Sequence, residues 1–434
     1  LLWKIMGTRT KVIKKDFAFP LQCIWIKLNG SWPINPRFKV LKNLYVLWSW
    51  FIITIVGITI YYQAAYLVYS FGDILKVTEN CSTTFMGFQN FIRLFHLRLH
   101  QDDFRKLIND FKEHIWFERG TDPKIEKRCK NEMIIFRAMS VMLLSLICMY
   151  CVLPIFELMA NPNNLEKPFP YKMIFPYNAN NGLIYILTYI MTAYAGFAVV
   201  TTLFAEDTLF GFFITYVCAQ FKLLHKSIQN IIPDGYENAL RKYGENTSEK
   251  LIQIEYFKLL KNVAKKHATL IRFVVKIMKT KTHFPILLVN FTISSILICV
   301  VGFQIVTGKM SIGNYAKLTL YILSALTQLF ILCWNGNNII QRSTETSWVL
   351  YSCNWEGGFF DKPQENDGAK YVTRIHYPPG GSDFKNALRF MIMRSQKPVK
   401  ITALKFSVLS LQSFTTILST SMSYFTLLQT LLEE

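Results

Sequence analysis

Charged residues are scarce in this chain, and acidic ones scarcest: 28 Asp and Glu stand against 48 Lys and Arg, for a formal net charge of +20 over 434 residues. Six stretches hold no charge at all, residues 43–72, 138–156, 173–205, 282–308, 318–341 and 406–432. Each is near or above the twenty or so apolar residues that cross a bilayer as a helix, which excludes an ordinary soluble domain. A seventh, weaker candidate lies between Ile74 and Leu97, where only residues 80–92 are free of charge. The nine cysteines supply no disulfide framework, because Cys81 alone falls in or beside a segment expected outside the cell, and no spacing resembles a zinc site. Also missing are a phosphate-cradling Gly loop, a nucleophile elbow and paired catalytic carboxylates, so neither enzymatic activity nor a cofactor is expected. His96 and His100 have the spacing of two metal ligands, but the other five histidines form no further box. Two polar residues at a membrane exit explain the pair more simply, and no metal site is assigned.

What is present is apolar, aromatic and unevenly basic. Lys and Arg number nine in residues 1–43, one in 73–79, nine in 98–130, two in 157–172, thirteen in 222–281, two in 309–317, nine in 342–400, and none after Lys405. Such alternation follows the positive-inside rule of multi-pass membrane proteins and argues against nucleic acid as the partner of all this positive charge. The expected fold is an all-α membrane protein with seven transmembrane helices, its amino terminus cytosolic and its carboxyl terminus extracellular. That orientation is the reverse of a G-protein-coupled receptor's. No cleavable signal peptide is evident, and Leu1 in place of Met suggests a start further upstream. Of the sequons at Asn29, Asn80, Asn246 and Asn290, only Asn80 is expected near the outer face, where a glycan would support this topology.

In chain order, residues 1–43 read as a basic cytosolic arm, either laid along anionic lipid or solvated. Residues 44–217 hold spans one to four, with Arg93 either at a cytosolic helix end or facing protein. Glu206 and Asp207 are an ion site or, more simply, interface residues paired to bases. Residues 218–281 read as cytosolic anchor helices broken at Pro233-Asp234-Gly235 and again around Gly244, the second running from about Glu249 into span five. Residues 282–341 hold spans five and six, 342–399 a further cytosolic anchor segment, and 400–434 the seventh helix. Within the anchor, 357–381 is rich in Gly, Pro and charge: by composition a flexible loop, either a genuine insertion or a gene-model artefact.

The final run carries Ser and Thr at helical spacing, Thr416, Thr420, Ser423 and Thr430 among them. Such a face either lines a hydrated path, with Leu427 and Leu431 closing it as a dewetting constriction, or makes close helix contacts in lipid. The outer halves of spans two, three, four and six offer an aromatic, weakly polar surface suited to a small volatile molecule: Phe85, Phe88, Ile92, Met149, Tyr150, Tyr185, Tyr189, Tyr315, Thr319 and Ile322.

The pattern Arg394-Ser395-Gln396-Lys397-Pro398, then Lys405-Phe406, Leu409-Ser410-Leu411, Phe414, Ile417-Leu418 and Ser421 to Leu428, closely resembles the carboxyl end of insect odorant receptors. Cys333-Trp334-Asn335-Gly336-Asn337, Trp348, Tyr351 and Trp355 resemble that family's sixth span and its cytosolic entry to the seventh. The resemblance covers about residues 314–356 and 382–432. It implies an odorant-tuning subunit, not the shared co-receptor, in the plasma membrane of olfactory dendrites. The subunit would join the co-receptor in a heterotetramer, a ligand-gated non-selective cation channel whose partners are a small volatile organic ligand, membrane lipid and permeating cations. It also implies that Leu427 and Leu431 match the family's gate and that the cytosolic helices form the anchor where subunits meet. A gustatory receptor is the nearest alternative, but its ending has five apolar residues between Thr-Tyr and Gln-Phe, whereas here four residues separate Ser423-Tyr424 from Gln429-Thr430. A G-protein-coupled receptor would need the opposite orientation, and a transporter the internal repeats that are not found here.

Overall fold

The computed structural model describes residues 19–34, 38–116, 122–161, 167–279, 284–308, 311–366, 369–403 and 407–433. Seven long helices occupy the seven expected segments: α2 (Lys39–Tyr69), α3 (Ile74–Leu99), α5 (Pro123–Ala160), α6 (Gly182–Gln229), α9 (Phe284–Thr307), α10 (Ile312–Tyr351) and α12 (Leu411–Glu433). Between them lie α1 (Cys23–Leu28), α4 (Gln101–Asp110), α7 (Ile231–Tyr243), α8 (Glu249–Lys279) and α11 (Ser382–Ser395). Helices α2, α5, α6, α10 and residues 289–307 of α9 are long and apolar enough to cross a membrane, so the chain is a multi-pass membrane protein. At 48 residues α6 is about 72 Å long, well beyond the hydrocarbon core.

Local sequence sets the helix starts. Asp73 and Asp122 cap α3 and α5 by accepting from Lys76 N at 3.2 Å and Lys124 N at 3.1 Å, and Pro123 takes the first helical position, where no backbone N–H is missed. Ser410 caps α12 through Ser413 N at 3.2 Å, so the seventh helix begins at Leu411 and the preceding residues pair as β3 (Thr402–Ala403) and β4 (Ser407–Val408). The expected break at Pro233 falls instead at Asn230. Pro233 sits in the first turn of α7, which tolerates it, and Gly235 lies under Tyr256, whose Cδ1 is 2.5 Å from where a Cβ would stand. Residues 280–283, where α8 was expected to run on into the fifth span, lie outside the described ones.

The described residues divide into two compact units. One comprises residues up to Phe213, 277–335 and 402–434; the other comprises 214–276 and 336–401. In the first unit Ile52, Ile53, Val56, Leu94, Ala195, Ala198 and Val199 form a buried cluster, while Leu47, Phe51, Val141, Phe156, Leu187 and Ile190 face outward, as lipid allows. Residues 19–34, expected within the basic arm, are packed here. Asn29 Nδ2 donates to the hydroxyls of Thr201 at 3.0 Å and Thr202 at 2.8 Å, and Ile26 and Cys23 are buried. The arm's residues 1–18 lie outside the described ones.

In the second unit the ring of Tyr256 packs on Phe384 at 6.2 Å, Tyr236 on Tyr377 at 5.2 Å, and His225 Nε2 lies 2.9 Å from Thr346 Oγ1. The segment expected as a flexible loop is instead an antiparallel hairpin, β1 (Gly358–Asn366) paired with β2 (Ala369–Tyr377) from Gly358↔Tyr377 to Asn366↔Ala369. Tyr371, Val372, Thr373, Ile375 and Tyr377 are strand formers that the Gly, Pro and charge around them obscured. Gly357, at φ +76°, turns the chain into the first strand where a Cβ would lie 2.7 Å from Tyr377 O.

Asn80, the one sequon expected near the outer face, is not open to a glycan in the folded chain. Asn80 is buried, and its Nδ2 donates to Gln63 O across the α2–α3 contact at 2.7 Å, which leaves no room for a sugar. Asn29 and Asn290 are likewise interior side chains.

Candidate functional site

Helices α2, α3, α5, α6 and α10 surround a narrow cavity of about 40 Å³, below the size of small-molecule sites, so that an organic ligand enters only as its walls move apart. Its walls are mostly apolar, among them Val56, Ile60, Met86, Leu146, Ile147, Val199 and Val200. Its polar groups are few. Thr59 donates to Ile55 O at 2.9 Å, Thr83 to Asn80 O at 3.2 Å and Tyr321 to Ser82 O at 3.0 Å, so these hydroxyl protons are committed to backbone. Gln63 also lines the space, 4% exposed, and its Oε1 has no hydrogen-bond partner.

One wall does not come from a helix. The loop after α5 is fastened by Tyr185 OH to Pro168 O at 2.8 Å, Lys167 N to Asn180 Oδ1 at 3.3 Å and Ile174 N to Tyr62 O at 3.3 Å. From it Tyr171 reaches inward to stack on Tyr150, ring centroids 5.6 Å apart. Its phenol fills the space that a Cβ on Gly196 would take, with Cζ 2.8 Å from that point. Thr83, Tyr150 and Tyr171 line both the cavity and a wider vestibule that includes Tyr66, Glu79, Lys172 and Lys317.

Of the ten side chains expected around a ligand, Tyr150 lines the cavity, and Met149 joins it on the vestibule. Tyr185 and Tyr189 brace the loop side, Tyr189 donating to Cys151 O. Tyr315 bonds Gly308 O, Thr319 is exposed, and Ile322 lies 3.9 Å from where a Gly302 Cβ would be. Phe88 faces outward, and Phe85 and Ile92 are partly buried without lining the cavity. Sequence reasoning missed Gln63, Tyr171, Gly196 and Tyr321. A signal existed for two of them: Thr59 and Gln63 stand one turn apart in the uncharged stretch of α2, and Gly196 interrupts a long apolar run.

A second polar feature lies deeper. Arg93, 1% exposed, donates to Asp207 Oδ1 at 2.9 Å, Glu206 Oε2 at 3.2 Å and Asn290 Oδ1 at 2.6 Å. Gln328 Nε2 closes the group on Asp207 Oδ2 at 2.6 Å. The expectation that these acids pair with a base is met by an arginine from α3. His96 and His100 stack with ring centroids 4.3 Å apart, and among the described residues no group of three or more His, Cys, Asp or Glu side chains is placed to hold a metal.

Helix α12 is packed on one side only. Ser421 is buried, its Oγ donating to Ser295 O at 3.1 Å, and Phe414 meets Phe330 at 5.6 Å between centroids. At about 100° per residue, Thr416, Thr420, Ser423, Leu427 and Thr430 fall on the opposite face, and all five are exposed. Each hydroxyl turns back to the carbonyl four residues earlier: Thr416 to Gln412 at 2.9 Å, Thr420 to Thr416 at 2.9 Å, Ser423 to Ser419 at 3.1 Å and Thr430 to Thr426 at 2.8 Å. The side chain of Leu431 lies outside the described ones.

With this geometry in place, comparison with known proteins is direct. A family model described as 7tm Odorant receptor matches residues 73–422. Odorant receptor 13a of Drosophila melanogaster is 48% identical over 427 residues, covering 96% of each chain, and Odorant receptor 22c of the same fly is 28% identical over 62% of this chain and 59% of its own. Among solved structures, olfactory receptor OR5 of Machilis hrabei in complex with eugenol superposes with a TM-score of 0.72 at 14% identity, over 94% of this chain and 97% of that one.

Proposed function

The chain belongs to the insect odorant receptor family, and from that premise we propose that it is the odorant-binding subunit of a ligand-gated, non-selective cation channel formed with the family's co-receptor. The observation that carries the channel reading is the unpartnered Ser/Thr face of α12, turned away from the helix that packs it. A face of satisfied hydroxyls ringed by copies of itself would line a hydrated path, and Leu427 would narrow it by excluding water. The cavity among α2, α3, α5, α6 and α10 supplies the ligand site. The Machilis receptor is solved in complex with eugenol, a small aromatic volatile, and a ligand of that size would occupy this cavity only in a widened form. A ten-atom ligand gaining roughly 0.5–0.7 kcal/mol per atom binds in the micromolar to submillimolar range, adequate for a sensor.

Mechanism follows as a population shift. A ligand that packs better when the outer helices are rearranged favours that arrangement, and α9, which contacts both α3 and α12, connects the cavity's walls to the seventh helix. The amino terminus is assigned to the cytosol and the carboxyl terminus to the exterior by the distribution of basic residues. The test is to record cation current against a panel of volatiles in cells expressing the chain with and without the co-receptor. Ligand-evoked current only in the pair is expected. Second-messenger signalling without current, or a tag after Glu434 reached by antibody only in permeabilised cells, would overturn the proposal.

A further inference from the structure

Gln63 is the cavity residue for which the fold has no internal use. Its backbone carbonyl is taken by Asn80, but its side chain, 4% exposed, ends in an Oε1 without a partner. A buried amide oxygen left unpaired costs free energy, and here the walls around it are mostly apolar side chains. The other hydroxyls on α2, α3 and α10 that line the space have their protons engaged by backbone carbonyls, as does Tyr321 with Ser82. An amide whose oxygen lines an apolar cavity without a partner is completed by what enters the cavity.

We propose that Gln63 selects the ligand class: a small apolar volatile carrying one hydroxyl, an alcohol or phenol, whose oxygen pairs with the Gln63 amide while its hydrocarbon part packs against Val56, Met86, Leu146 and Val199. This rests on the reading of the cavity as the odorant site. A hydroxyl both donates and accepts, so it matches an amide in either orientation of that group, whereas a ketone only accepts and a hydrocarbon does neither. A site that must pair a polar group rejects analogues that lack the complementary atom, because the unpaired group stays buried in the complex.

The test compares matched sets of straight-chain and cyclic alcohols, ketones and alkanes of similar size on the full chain with its co-receptor, reading half-maximal concentrations for current. The native protein should respond to alcohols at concentrations roughly ten- to a hundredfold lower than to the matched alkanes. Gln63→Met keeps the side chain's length and the backbone bond to Asn80, and should shrink that ratio about tenfold, weakening alcohols and strengthening alkanes. Gln63→Leu should act in the same direction. An unchanged ratio in both variants, or a native preference for alkanes, overturns the assignment. Ala195→Phe separates this from failure of the cavity itself. If filling the space leaves every response intact, or if the native chain answers no member of the panel, the cavity is not the ligand site and Gln63 falls with it. If Ala195→Phe abolishes responses and the Gln63 variants keep the native ratio, Gln63 alone is refuted.

Discussion

Set side by side, α3 and α12 are the two of the seven long helices without a stretch apolar enough to mark a membrane span by itself, yet they aim their polarity in opposite directions. On α3, Asn80, Ser82, Thr84, Gln89, Asn90 and Arg93 are all buried, and three of them bond to other helices: Asn80 to α2, Gln89 to Asn290 of α9, and Arg93 to α6 and α9. On α12 the exposed side carries Gln412, Met422, Tyr424 and Leu427 beside its Ser and Thr hydroxyls, and those of Thr416, Thr420, Ser423 and Thr430 are closed on their own helix. The difference follows from chemistry. A Ser or Thr satisfies its proton on the carbonyl one turn back and then tolerates lipid, water or another helix outside. An Asn, Gln or Arg has more donors than its own turn can engage, so in a bilayer it must face protein. The side-chain type thus indicates which way a marginal helix turns, even where hydropathy does not.

The largest effect that would break the comparison is on Arg93. Removing it as Arg93→Met leaves Glu206 and Asp207 buried without their cation, at a cost of about 3–5 kcal/mol, enough to deplete folded receptor at the cell surface. Adding Glu206→Gln and Asp207→Asn should restore much of the loss. Recovery of surface protein by the triple change, counted by antibody against an external tag, separates a charge effect from simple loss of packing. Next in size is Asn80→Ala, which removes the buried bond across the α2–α3 contact while Gln63 O keeps its helical partner, and should cost about 1–2 kcal/mol, read as a lower melting temperature of the purified receptor. Glycosidase treatment of the native protein should remove no glycan from Asn80.

How much of this was legible beforehand follows from the same contrast. Absence of charge located six of the long helices, because desolvating charge in lipid dominates every local preference, and it came close to the ends of α2, α9 and α12, whereas α5, α6 and α10 run on into charged sequence well beyond their uncharged stretches. The α12 stripe was legible because its hydroxyls repeat at helical spacing with nothing else polar among them. The cavity was not. Tyr150 was found, but Gln63, Gly196 and Tyr321 depend on the rotation of each helix about its axis, which uniformly apolar sequences leave undetermined. Tyr171 depends on a loop folding inward, and its partner signal, a helical Gly196 with no side chain to block the phenol, is readable only after the two are seen together. The hairpin at 358–377 was hidden by reading composition before alternation.

Smaller effects sharpen the α12 side. Leu427→Ser places a hydroxyl where an exposed leucine is proposed to exclude water, and should shift the closed–open balance by about 1–2 kcal/mol, roughly tenfold more ligand-free current with the co-receptor. An unchanged closed state would remove Leu427 from the gate.

The smallest and most discriminating change is Thr420→Val. It keeps the shape of the side chain and deletes only a hydroxyl whose proton is already held by Thr416 O, so stability should move by less than about 0.5 kcal/mol. Whether anything else moves depends on what the exposed face meets. If it meets lipid, valine is as good as threonine or better, and channels carrying the variant conduct as before. If it meets water, the threonine oxygen offers lone pairs to passing ions and their hydration shells, valine offers none, and single-channel conductance should fall while surface expression stays level. On α3 the corresponding experiment is confounded, because Asn80, Ser82, Thr84, Gln89, Asn90 and Arg93 are buried, so deleting one is felt first as a loss of fold, while Thr83 lines the cavity. A conductance change without a stability change is therefore the signature that separates a helix polar for the sake of its neighbours from one polar for the sake of what flows past it.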